Sequence, residues 1–206
     1  MEITKNQDKA VGDIIEMVVS VIGNGSREID TTEAISSTAR LAGSFLFRSF
    51  GFKIEDAKPG TVMLSENANT KGPQLINITR SVLQNYNIQI DNSKMSNGNC
   101  KQAESNFTEV ISKVQIPALQ IMKKNDLSYE QFAQSAAIAT AFIIQQSNNV
   151  TPEEGFGTAI YHYIEGSKTY PPEFEENAKR QNFEDEINSN ENKIESKKLK
   201  PWWKLW

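Results

Sequence analysis

Residues 128–149 read SYEQFAQSAAIATAFIIQQSNN, and this stretch decides the fold class. Ser128 with Gln131 three residues on forms the capping-box pattern that opens a helix. Ala133, Ala136, Ala137, Thr140 and Ala141 make a strip of small residues, and Phe132, Ile138, Phe142, Ile143 and Ile144 supply bulk. A helix this apolar on all sides is expected at the centre of a bundle.

Reading outward, the same grammar recurs. Residues 151–166, TPEEGFGTAIYHYIEG, begin with Thr151 as N-cap, Pro152 at the first helical position and Glu154 completing a second capping box. Phe156, Ile160, Tyr163 and Ile164 are expected to face the core, and Pro171-Pro172 to end the compact region. Upstream, Phe107, Val110, Ile111, Val114, Leu119 and Met122 mark the buried side of a helix within 102–125. Pro117 lies inside that pattern, so a kink or a break is expected there.

Towards the N-terminus, residues 30–51 read DTTEAISSTARLAGSFLFRSFG. Asp30 is an N-cap, with Glu33 three residues on, and Gly51 is a stop. Ile35, Ala39, Ala42, Leu46 and Phe50 share a face, and Ala42-Gly43-Ser44 would let a neighbouring helix approach closely. In 8–23, Val11, Ile14, Ile15, Val18 and Ile22 recur at helical spacing. Residues 73–87, PQLINITRSVLQNYN, read as a helix with Pro73 in its first turn. Residues 53–72 carry the turn signals Pro59-Gly60 and Gly72-Pro73 and read as irregular. A loop of that length is often functional. A two-stranded β element pairing 61–64 with 88–91 remains open, and 91–101 reads as a polar loop.

The expectation is a mainly α fold. One helical domain of five to six helices spans 7–170. Residues 171–206 form an acidic linker ending in a basic-aromatic motif. From 171 to 195 eight acids oppose three bases, a net −5, whereas 196–206 carry four lysines and no acidic side chain, +4. High charge with little to bury favours disorder in this tail.

Chemical motifs are sparse. The net charge of −4 is too small to attract nucleic acid in bulk. No apolar run approaches the roughly 18 residues of a spanning helix. The N-terminus does not read as a secretory signal. Cys100, the single cysteine, excludes an internal disulfide and suits a reducing cytoplasm. Four N-x-S/T patterns, at Asn24, Asn77, Asn106 and Asn149, then carry no meaning. His162 is the only histidine, so a multi-histidine zinc site is excluded. It reads either as a general base or as a histidine at a helix–helix seam. Glu55, Asp56 and Glu66 fall in the 53–72 loop, where solvated charge is the ordinary outcome. Arg40 and Arg48 lie eight apart on nearly one helix face, able to grip an anion or simply to face solvent. Neither GNGS at 23–26 nor GFGT at 155–158 has the context of a phosphate-binding loop. No catalytic residue, metal site or cofactor is assigned.

The remaining signal is KKLKPWWKLW at 197–206, which holds all three tryptophans. Lys197, Lys198, Lys200, Trp202, Trp203, Lys204, Leu205 and Trp206 are the expected partner-binding residues. The favoured reading is a non-enzymatic adaptor whose tail docks on a protein partner, because aromatic anchors dominate such interfaces. Docking back on the chain's own helices and association with an anionic membrane surface compete with it. Single-stranded nucleic acid is disfavoured by the adjoining −5 segment. A small-ligand site or enzyme near the 55–73 loop, gathering Arg40, Arg48 or His162, is the other alternative.

Overall fold

The computed structural model describes residues 3–23, 29–52, 56–95 and 105–174. Chain contacts divide the protein into Met1–Pro172 and Glu173–Trp206. The described residues form α1 (Lys5–Ile22), α2 (Thr31–Ser49), α3 (Glu66–Asn85), α4 (Asn92–Met95), α5 (Phe107–Lys124), α6 (Tyr129–Gln146) and α7 (Pro152–Lys168). The fold is mainly α, and the described residues contain no strand. The expected disordered tail and the Lys/Trp end at 197–206 lie outside the described residues, as does Cys100.

Local chemistry sets the helix starts. Ser128 with Gln131 and Thr151 with Glu154 both form complete capping boxes, and Pro152 opens α7. Asp30 accepts the amides of Thr32 and Glu33 at 2.8 and 3.1 Å. The carboxylate of Glu33 has a different task from the box that its spacing suggests: it accepts the Ser105 amide at 3.3 Å. Past α2, Gly51 takes φ +64°, the left-handed conformation that lets a chain leave a helix without strain.

Three expectations are corrected. First, α3 starts seven residues before Pro73. Ser65 caps it by accepting the Ala68 amide at 3.1 Å, and Pro73 lies inside the helix. Proline deprives the carbonyl four residues back of its donor. That residue, Asn69, is exposed, so water can replace the lost partner. The long functional loop therefore shrinks, and Glu66 becomes the first helical residue, where its charge suits the helix dipole. Second, no pairing joins 61–64 to 88–91. Instead Val62 forms an isolated antiparallel bridge with Thr169. The Met63 and Tyr170 amides flank it, donating to Lys168 and Thr61. Third, of the kink or break expected at Pro117, the break does not occur: α5 continues to Lys124. Lys113, whose carbonyl loses its donor, is also exposed.

α2 shares the centre with α6. Every residue from Ala34 to Phe47 on α2 is buried. The Phe45 and Phe132 rings pack at a 38° tilt with centroids 4.4 Å apart. Ile35, at the other end of α2, meets Gly155 at the start of α7, which also touches Ile144 of α6. α2 and α6 are thus antiparallel. Further along, Gly43 meets Gly166, so α2 and α7 run in the same direction. Their backbones nearly touch: a methyl group on Gly166 would lie 2.6 Å from the Arg40 carbonyl oxygen. α3 runs with α6, since Lys71 pairs with Glu130, Thr79 bonds the Ala137 carbonyl, and Tyr86 contacts Phe142. α1 joins α6 through Gln7, which donates to Gln134 at 3.1 Å and accepts from Ser135 at 3.3 Å. On α7, Phe156 and Tyr163 are buried as expected, but Ile164 is 46% exposed. The helix phase that buries His162 and Tyr163 turns Ile164 outward.

Candidate functional site: a buried polar cluster between α2 and α7

The α2–α7 seam carries the densest charge in the described core. Arg40 is 3% exposed and His162 2%. Both bond one atom, Oε2 of Glu165: Arg40 Nε donates at 2.7 Å, and His162 Nδ1 lies 2.7 Å away. The same guanidinium donates through Nη1 to the Ser105 carbonyl at 2.7 Å. Glu33, two turns before Arg40, accepts the Ser105 amide. One residue ahead of α5's cap is therefore held at both backbone groups by side chains of α2.

The electrostatics follow from this arrangement. Burial pushes the Glu165 carboxyl up, but the bonds from His162 and Arg40 and their charges outweigh it, and the group is held below its ordinary 4.5. An ionised Glu165 can only accept, so Nδ1 of His162 carries a proton. The Tyr161 ring meets the imidazole edge-on, at 4.9 Å between centroids. Glu165 thereby fixes both orientation and tautomer of His162. No group of three or more metal-ligating side chains occurs among the described residues.

Arg40 and Arg48 do share a face of α2, but both turn toward protein rather than solvent. Arg48 donates through Nη2 to Gln115 Oε1 and to the Pro172 carbonyl, each at 2.7 Å. Of the three residues proposed for a ligand pocket, Arg40 and His162 converge on Glu165, while Arg48 binds elsewhere, two turns along. Two surface clefts, of about 410 and 240 Å³, lie elsewhere. The larger runs along α3 beside Ile3, Gln74, Asn77 and Ser81. The smaller is apolar, between Ile15, Val19, Ala34, Phe142 and Ile143. Neither includes Arg40, Arg48 or His162.

Sequence reasoning missed Glu165 as the hub. Its spacing gave a signal, since a carboxylate three residues after a buried histidine stands beside it on a helix. It also missed a second buried group. Tyr163 OH and Thr79 Oγ1 are 2.7 Å apart, and Thr79 also reaches the Leu75 and Ala137 carbonyls at 3.1 Å. Burial raises the Tyr163 phenol far above its usual range, against the opposing bonds to Thr140 and Thr79, so it stays neutral. Both groups bind helices to one another. No described helix is long and apolar enough to cross a membrane. Comparison with known proteins finds no matching family model, no matching curated protein and no matching solved structure.

Proposed function

We propose that this chain is a non-enzymatic helical adaptor or accessory protein that docks on a protein partner through Lys197–Trp206. One observation carries the reading: the three tryptophans all fall within the last five residues of the sequence, among lysines. An indole buries about 150–250 Å² when covered. At about 25 cal/mol per Å², each ring offers a partner roughly 4–6 kcal/mol before ordering costs. The acidic spacer 171–195 would repel itself and so keep the stretch before the motif extended.

The experiment is a graft. Residues 196–206 fused to an unrelated carrier are expected to capture the partner that the full chain captures. The triple substitution of Trp202, Trp203 and Trp206 by alanine should abolish capture. Capture that follows the helical domain alone would refute the proposal. Capture by anionic vesicles, with no protein partner, would redirect it to a membrane surface.

A further inference from the structure

We infer that the Glu165 carboxylate is the pin of an acid-sensitive latch that couples α7 to the chain entering α5. The geometry is a relay of three groups. Arg40 is a planar fork, so its Nε bond to Glu165 and its Nη1 bond to the Ser105 carbonyl are set by one rigid plane. His162 donates to the same carboxylate oxygen and steadies it. Glu33 holds the Ser105 amide, the other backbone group of the same residue. The Ser105 carbonyl is thus anchored only while the guanidinium is aimed, and Glu165 aims it; the amide, held by Glu33, reports when the residue pulls loose.

Protonating Glu165 removes the charge that justifies two buried donors. Arg40 and His162, both buried, then lose their shared acceptor charge, whereas the Glu165 side chain is 23% exposed and open to protonation. Among the described residues, the other acids on the elements packed against α7 have these partners and places. On α6 the one acid, Glu130, pairs with Lys71 of α3. Arg80 of α3 lies over the Phe156 ring. Glu66 opens α3 and is exposed. Lys94 of α4 pairs with Asp91. Glu153 and Glu154 belong to the first turn of α7, and Lys168 to its last. Glu33 of α2 already accepts from Ser105. Because Glu165 is held below its ordinary 4.5, the latch stays shut at neutral pH and opens only in acid beneath that value.

Hydrogen-exchange NMR on the full chain tests this, with rates corrected for intrinsic pH dependence. At pH 7, Glu165→Gln should lower protection of the Ser105 amide roughly 10- to 100-fold, the equivalent of one charged hydrogen bond, and leave α6 amides unchanged. In the wild-type chain the same loss should appear as pH falls below 4.5, ahead of any loss in α6. Should Glu165→Gln fail to fold, the acid series is run in Glu33→Gln, whose uncharged side chain keeps an acceptor for the Ser105 amide, and decides alone. Wild-type protection at Ser105 in a folded Glu165→Gln chain would overturn the latch. So would wild-type loss of Ser105 and α6 protection together.

Discussion

Adding one methyl group to this protein should have opposite effects at two glycines. Gly166 sits where α7 crosses α2. A Cβ there would stand 2.6 Å from the Arg40 carbonyl oxygen and 3.0 Å from both the Gly43 Cα and the Ser44 nitrogen. Ordinary contact begins near 3.4 Å, so the crossing would have to open by about 0.8 Å, the difference between 3.4 and 2.6 Å. All three obstacles are backbone atoms in the fully buried stretch of α2, which cannot rotate aside. Overpacking costs about 1–3 kcal/mol, and rigid obstacles argue for the upper end. Alanine returns up to about 1 kcal/mol in helix propensity. The net loss for Gly166→Ala is about 2 kcal/mol, or roughly 4–8 °C in Tm for a domain of this size. Gly12 on α1 is exposed, and a Cβ there meets nothing within 4 Å. Gly12→Ala should therefore stabilise by about 0.5–1 kcal/mol. Thermal unfolding followed by circular dichroism reads both signs. Equal stabilisation by both substitutions would show that the helices do not cross at Gly166.

Other perturbations follow from the same contacts. Phe132→Ala removes a ring packed on Phe45 in the closed core and should cost about 3–5 kcal/mol, measured by urea unfolding. Tyr163→Phe leaves Thr79 with its two carbonyl acceptors but deletes the 2.7 Å hydroxyl contact, so about 1 kcal/mol should be lost with no change in helix content. Ser128→Ala strips the α6 cap and should cost about 0.5–2 kcal/mol in the same assay. Stability in acid should carry the signature of Glu165. Its folded-state pKa is lowered, so its contribution is complete above the ordinary 4.5 and disappears as pH falls through the lowered value. A urea series between pH 7 and 3 should show a steeper acid decline in the wild-type chain than in Glu165→Gln.

Much of the fold is written in features that act locally. Capping boxes at Ser128 and Thr151 and the Asp30 cap mark their helices because each satisfies amides within three residues. α3 shows where local punctuation misleads. Gly72-Pro73 reads as a turn, yet Ala68, Gly72, Leu75, Thr79 and Leu83 form one buried stripe at helical spacing. Counting glycine and threonine as core residues reveals that stripe, because packing against α6 and α7 outweighs one lost hydrogen bond. Val62 and Thr169 were illegible as partners, since a single bridge leaves no alternation to read. The charged seam was legible only in parts. Arg40 and His162 stand out as rare residue types, but their meeting on Glu165 depends on α2 and α7 running in the same direction. That direction is set by the Gly43–Gly166 contact, which joins residues more than a hundred positions apart.

In the proposed function the helices close their own core and the Lys/Trp end is left for a partner. Comparing the thermal unfolding of the full chain with that of a chain ending at Phe174 tests this most directly. The two midpoints should agree within about 1 °C, with equal cooperativity. A midpoint lower by about 4 °C or more in the shorter chain would mean that the indoles belong to the helical core.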